Sequence, residues 1–410
     1  MPNTTLEKPS IIKAAPEAAN SRRPVHAVLR FSLEITLVTL AAFLLLEGIF
    51  AWAGVGEQEC LKIDDYLGFS LFPNKDITWR REGFSRVRFN SHGMQDREYM
   101  VTKAPDTTRI AVVGDSYVEA LQVDRNKNFL SLLEKSLNSN SQKNRNEKIQ
   151  VMNFGVQAHN LAQSYLYLKN SVLNFSPDMV IVPYRTDATY LLPPDIKRGF
   201  LGARPNFFVD DKGNLIEDRT VQELWLKSRA AKRMKTTAWL REHSNTWGVI
   251  GTAMEALSNW KAKGGLLENF LNPQEKKELP GLQDGGVTVL EDKTESGWTR
   301  TSKTGEDSIK ATWPIADALI REMDALCKEK NSRMILVRMP GVRGHVSSLE
   351  TRLLEKSARD YNIPFLDLTD SFHKQLKAGE ELFIKTHMTE AGHRIVAEEL
   401  FEFLNSNHTD

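Results

Sequence analysis

Two stretches far apart in the chain carry the residue types that acyl transfer needs. Gly114-Asp115-Ser116 follows directly on the apolar run Arg109-Ile-Ala-Val-Val113. A serine at the carboxyl end of a strand presents its hydroxyl to solvent when a glycine before it permits a tight turn. Its backbone N–H points the same way, so one residue supplies a nucleophile and a donor to a developing oxyanion. By itself the triplet is equally the mark of a turn with a capping serine. The second stretch, Thr386-His387-Met388-Thr389-Glu390-Ala391-Gly392-His393, precedes the last helical pattern. An imidazole there can take the Ser116 proton as general base and return it to a leaving group. His387 falls in a predicted loop. His393 falls inside the predicted helix and ranks second.

These residues need a scaffold that brings them together. Short apolar runs at 109–113, 149–153, 179–182, 333–338 and 364–368 each read as a buried strand. Between them lie amphipathic patterns. Leu161, Tyr165, Leu168 and Val172 share one helix face, and Leu319, Met323 and Leu326 share another. Val396, Leu400, Phe403 and Leu404 form the last, with Thr389 placed to cap it. Strand–helix alternation of this kind predicts a parallel sheet covered by helices on both faces. Ligand sites in such sheets lie beyond the carboxyl ends of the strands, where Ser116 falls. Residues 195–310 interrupt the alternation and read as an insertion. The part 200–263 looks mostly helical and holds Trp225, Trp239, Trp247 and Trp260; the part 264–310 looks like a flexible loop. Those tryptophans suit sugar stacking or, more plainly, the small core of a helical cap. Lys232, Arg233 and Lys235 read as a solvated face.

Composition narrows the function classes. The 410 residues hold 54 Lys+Arg against 53 Asp+Glu, so the chain lacks the basic excess of a nucleic-acid binder. Two cysteines, Cys60 and Cys327, exclude a disulfide scaffold and a Cys-rich zinc module. No metal-ligand or phosphate-loop motif occurs, so neither metal nor cofactor is expected. Residues 1–30 are polar and proline-bearing and read as a cytoplasmic tail. Residues 31–54 form an apolar run of the length that crosses a bilayer, interrupted by Glu47. That acid is tolerable only near the outer interface or facing a protein partner. Arg22, Arg23 and Arg30 precede the run and Glu57 and Glu59 follow it. The positive-inside rule then keeps the N-terminus in the cytoplasm and sends the rest across. A buried core helix or a cleaved signal peptide are the competing readings. Residues 55–105 lead into the α/β domain of 106–410.

Ser116 and His387, with their order and setting, resemble the SGNH (GDSL-type) hydrolase family, and in particular its membrane-anchored bacterial members linked to surface-polysaccharide O-acylation. Val87 to Asp96 is similar to the family's lead-in segment and Arg109 to Ala120 to its nucleophile block. Val151 to His159, Pro177 to Asp187 and Thr386 to His393 are similar to its later blocks, in the same order. The resemblance implies a three-layer α/β/α sandwich with five parallel strands in flavodoxin-like order. It also implies an oxyanion hole made by the Ser116 N–H, a backbone N–H at the second block and a side-chain donor at the third.

This chain departs from the family at three places. Ala158 stands where the family has a glycine, and Thr186 where it has an asparagine. Ile384 and Lys385 stand where it has the aspartate that orients the histidine ring. Asp187, Asp367 or Asp370, or else a backbone carbonyl, is then the expected orienter. Two functions follow. One is a serine-dependent carbohydrate O-acyl esterase or O-acyltransferase on extracytoplasmic polysaccharide; for the transferase, the resemblance implies a membrane protein beside it that delivers acyl groups. The other is a catalytically degenerate, membrane-tethered relative that binds polysaccharide or scaffolds an export complex.

Overall fold

A computed structural model describes residues 22–53, 55, 60–80, 82–141, 148–185, 191, 199–262, 288–294, 297–303, 305–341 and 347–406. Five strands form one parallel sheet: β1 (Thr107–Gly114), β2 (Lys148–Gly155), β3 (Met179–Tyr184), β4 (Arg333–Arg338) and β5 (Phe365–Asp367). Their order is β5-β4-β3-β1-β2, the flavodoxin-like arrangement. The chain moves one way from β1 to β2 and the other way from β1 to β3. Ser116, directly after β1, therefore stands at the point where strand order reverses.

Alternating side chains feed two cores. Ala111, Val113, Met152, Phe154, Val180, Val182 and Leu336 pack on one face. There they meet α4 (Leu161–Asn170), α8 (Gly305–Glu329) and α9 (Ser348–Asp360) through Leu166, Leu319, Met323 and Leu354. Ile110, Val112, Val151, Ile181, Ile335 and Val337 pack on the other. Their partners are Phe129 and Leu133 of α3 (Phe129–Ser141), Phe372 of α10 (Thr369–Lys377) and Val396 and Leu400 of α11 (Glu390–Ser406). Burial on both faces explains why the strands are nearly unbroken apolar runs. Thr389 Oγ1 accepts the Gly392 N–H at the start of α11, as expected of its cap. Cys60 and Cys327 are buried and form no disulfide.

Three regions differ from the sequence reading. The first helix, α1 (Arg22–Ala53), starts before the apolar run; Pro24 is tolerated because the first turn needs no N–H from it. The lead-in folds into two antiparallel hairpins, Leu61–Asp64 with Gly68–Leu71 and Asp76–Trp79 with Ser85–Arg88. The insertion holds the expected helices α5 (Thr220–Lys227), α6 (Arg229–His243) and α7 (Asn245–Ala262), but also two hairpins. Asn206–Val209 pairs with Leu215–Asp218, and Thr288–Thr294 with Gly297–Lys303. The latter lies inside the expected flexible loop, of which 264–287 fall outside the described residues. Trp225 is buried with Ala203 and Ala231 in a small core of the insertion. Trp239 and Trp247 are exposed.

Candidate active site

The turn after β1 is built by Asp115. Its Oδ1 accepts the Tyr117 N–H at 2.9 Å and caps the short helix α2 (Ser116–Glu119), while Oδ2 lies 3.2 Å from Arg185 Nη2. The cap is thus the aspartate. Ser116 occupies the first helical position, partly exposed, and its hydroxyl has no hydrogen bond among the described residues. That leaves the side chain available for chemistry rather than committed to a turn.

His387 arrives on a tight hairpin, Phe383–Ile384 against His387–Met388, with Lys385 at φ 53° in its turn. The residue beside the candidate nucleophile holds this hairpin. Tyr117 Oη donates to the Thr386 carbonyl at 3.0 Å, and its ring centroid lies 5.9 Å from that of His387, edge to face. Gln122 Nε2 donates to the Met388 carbonyl at 2.9 Å. The two distant stretches therefore meet at the carboxyl edge of the sheet.

The His387 ring has a partner that sequence reasoning missed. Glu82 Oε2 contacts Nδ1 in a short hydrogen bond, and Thr386 Oγ1 donates to Glu82 Oε1 at 3.0 Å. Both side chains are mostly enclosed. Glu82 belongs to the connection between Asp76–Trp79 and Ser85–Arg88. That connection is seated on the segment after α2: Ser85 Oγ donates to the Leu121 carbonyl. Gly83, at φ 73°, passes so close that a Cβ would lie 2.6 Å from the Gln122 carbonyl oxygen. Leu121 and Gln122 thus hold the carboxylate loop, and the Gln122 side chain holds the histidine hairpin. With Nδ1 bonded to a carboxylate, Nε2 is the nitrogen free to exchange a proton.

The expected orienters lie elsewhere. Asp367 Oδ1 accepts the Thr369 N–H at 2.8 Å, and Asp370 sits in the first turn of α10. Asp367 ends edge strand β5, three strand spacings or ~14 Å from β1. The His387 ring bonds neither of them; its side-chain partners are Glu82 and Thr386. Asp187 and Thr186 lie outside the described residues. His393 is fully buried: its Nδ1 accepts the Phe129 N–H, and its ring stacks on Phe129. Burial, with the nearby His387, lowers its pKa to about 3, which makes it a neutral core residue and not a base.

Ala158 follows Gly155 on the loop after β2, in the left-handed region at φ 61°. This is the conformation that a glycine in that place adopts without cost. The Ala158 carbonyl accepts a short hydrogen bond from Arg204 Nη2, which fixes the peptide. Beneath it, Gly155 meets α2 so closely that a Cβ would lie 2.1 Å from the Glu119 nitrogen. Burial raises the Glu119 carboxyl well above its ordinary value, against the effect of the Gln157 N–H. His159, buried against Phe69, is lowered by burial to about 4.

No family model and no curated protein matches the chain. Among solved structures it is similar to an alpha/beta hydrolase enzyme from the metagenome of Lake Arreo, Spain. The identity is 11%, over 75% of this chain and 98% of that one, with a TM-score of 0.37. It is similar to a two-domain esterase active on acetylated mannans at 12% identity and TM-score 0.37; the match covers 74% of this chain but only 50% of that one. A catalytic mutant of an acetylxylan esterase from Geobacillus stearothermophilus gives 12% identity, 74% and 96% coverage, and a TM-score of 0.37.

Proposed function

We propose that the chain is a serine-dependent carbohydrate O-acyl esterase or O-acyltransferase, held by α1 in the cytoplasmic membrane with its α/β domain outside. The observation that carries this reading is the Glu82 carboxylate on His387 Nδ1, on a ring that packs against Tyr117 beside Ser116. Ser116 Oγ attacks the ester carbonyl carbon while His387 Nε2 takes its proton. The oxyanion is held by the N–H groups of Ser116 and Ala158, with the Thr186 hydroxyl as a third donor. Collapse expels the sugar oxygen, which takes the proton back from the imidazolium. Glu82 fixes the ring tautomer and stabilises the cation that forms in between. Water then releases the acyl group from Ser116, or a sugar hydroxyl accepts it. In the second case the ester that Ser116 attacks is an acyl donor supplied from inside by a membrane partner; the donor's own leaving group, in place of a sugar oxygen, departs with the proton from His387, and His387 then takes the proton of the accepting sugar hydroxyl.

The non-catalytic reading draws its support from Ile384 and Lys385 in the aspartate's place and from Thr186 in the asparagine's, the last of which lies outside the described residues. The need left by Ile384 and Lys385 is a carboxylate on the His387 ring. Glu82 meets that need from another part of the chain. The membrane assignment is supported by the apolar stretch His26–Ala53, none of which is buried, so α1 is not a core helix. The test is turnover of a chromogenic acetate ester by the full chain in detergent, beside Ser116→Ala. A loss of ~10⁴-fold or more in the variant supports the reading. Equal, near-background rates in both overturn it and favour polysaccharide binding.

A further inference from the structure

Glu47, the acid inside the apolar stretch of α1, is fully engaged by the insertion. Its carboxylate accepts four hydrogen bonds, from Ser244 Oγ at 2.7 Å, Asn245 N at 2.6 Å, Asn245 Nδ2 at 3.1 Å and Thr246 N at 3.0 Å. These are the groups at the N-terminus of α7, so the side chain of one helix caps another. The position fixes a depth. Glu47 lies six residues before Ala53, or ~9 Å down the helix axis. If α1 crosses the bilayer, the start of α7 is held at the boundary between headgroups and acyl chains.

The exposed face of α7 fits that depth. Trp247, Ile250, Met254 and Leu257 are 38%, 38%, 58% and 50% exposed. At about 100° per residue they fall within an arc of ~80°, one continuous apolar strip. Gly251, ~40° beyond the Trp247 edge of the strip, lets the Arg241 guanidinium of α6 lie against the helix backbone, so α6 flanks the strip without covering it. Trp247 directly follows a residue bonded to Glu47, and Trp52, near the end of α1, is 90% exposed. Tryptophan at both places matches the aromatic belt of a membrane interface.

We infer that α7 is an interfacial helix, whose strip of Trp247, Ile250, Met254 and Leu257 inserts into the outer leaflet that α1 crosses. The occupant of this apolar face is lipid, because the residue that caps α7 belongs to the membrane-crossing helix itself. Such insertion, typically ~5–10 Å deep, would clamp the domain against the bilayer at a second point. The inference rests on reading α1 as a span, and on nothing about catalysis.

The experiment uses the full chain in phosphatidylcholine proteoliposomes. Single cysteines are introduced as Met254→Cys, Leu40→Cys and Met100→Cys and labelled with an environment-sensitive fluorophore. The buried native thiols stay in place, with the parent chain as the labelling blank. Lipids carrying a nitroxide on the upper acyl chain are the quencher. The expected result is blue-shifted, quenched emission at positions 40 and 254 and water-like, unquenched emission at 100. Quenching at 40 with water-like emission at 254 overturns the inference while leaving the span intact. No quenching at 40 overturns the span and the inference with it. Blue-shifted emission at 254 that nitroxide lipid leaves unquenched means that a second copy of the chain covers the face, and also overturns it.

Discussion

The carboxylate of Glu82 and the imidazole of His387 are 305 residues apart in sequence and joined at Oε2 and Nδ1. Neither position is specified locally. The join exists because Gly83 and Ser85 seat one loop on residues 121–122, while Gln122 and Tyr117 tether the other hairpin to the same segment.

Glu82→Gln keeps the shape of that contact but removes the charge and reverses one hydrogen-bond preference. An amide in place of an orienting carboxylate costs ~10⁴ in turnover in a serine triad. The same order of loss in kcat is expected here, with KM for a small ester little changed and the melting temperature lowered only slightly. Steady-state kinetics with calorimetry checks both.

The strands were legible because a parallel sheet buried on both faces needs unbroken apolar runs, and 333–338 matches β4 residue for residue. Ser116 and His387 stood out by their places, one after a strand and one before the last helix, and by their order in the blocks that resemble the family; the residue types alone would not have marked them, since glycine and serine are common in turns. Glu82 was not, since no periodicity or spacing links it to position 387. The hairpin at Asn206–Asp218 had a signal that was passed over. Asp210 Oδ1 accepts the N–H groups of Lys212 and Asn214, and Gly213 takes φ 81°, the chemistry of a tight turn.

Tyr117→Phe deletes the hydroxyl that holds the Thr386 carbonyl but keeps the ring against His387. Loss of one such hydrogen bond costs about 1 kcal/mol of stability. A fall in kcat of up to about tenfold, larger than any change in KM, is expected from a looser histidine hairpin. Urea unfolding and ester kinetics on the same preparation measure the two effects.

Ala158→Gly is expected to stabilise the fold. A left-handed backbone costs alanine ~1–2 kcal/mol, and glycine returns ~0.4–1 kcal/mol of that through the unfolded chain. A net gain of roughly 0.5–1 kcal/mol follows, read as a higher urea midpoint with an unchanged m-value. Activity should be retained, because the backbone N–H stays where it is.

Buried groups set the pH dependence of stability. His393 is neutral in the fold, its pKa lowered from 6.5 to about 3. Unfolding lets it take a proton, so stability is complete above 6.5 and is lost as the pH falls toward 3. Glu119 has the opposite sign. Its folded value is raised above 4.5, so its contribution is full below 4.5 and declines as the pH rises through the folded value. Glu119→Gln should therefore gain stability relative to the parent as pH increases. Melting temperatures of both proteins between acid and neutral pH test this.

The most direct measurement is covalent labelling of the full chain with a fluorophosphonate, followed by intact mass and peptide mapping. A single phosphonyl group on Ser116 is predicted, absent in Ser116→Ala and formed far more slowly in Glu82→Gln and His387→Ala. No adduct at Ser116, or one formed at the same rate whether or not Glu82 and His387 are present, would contradict the account.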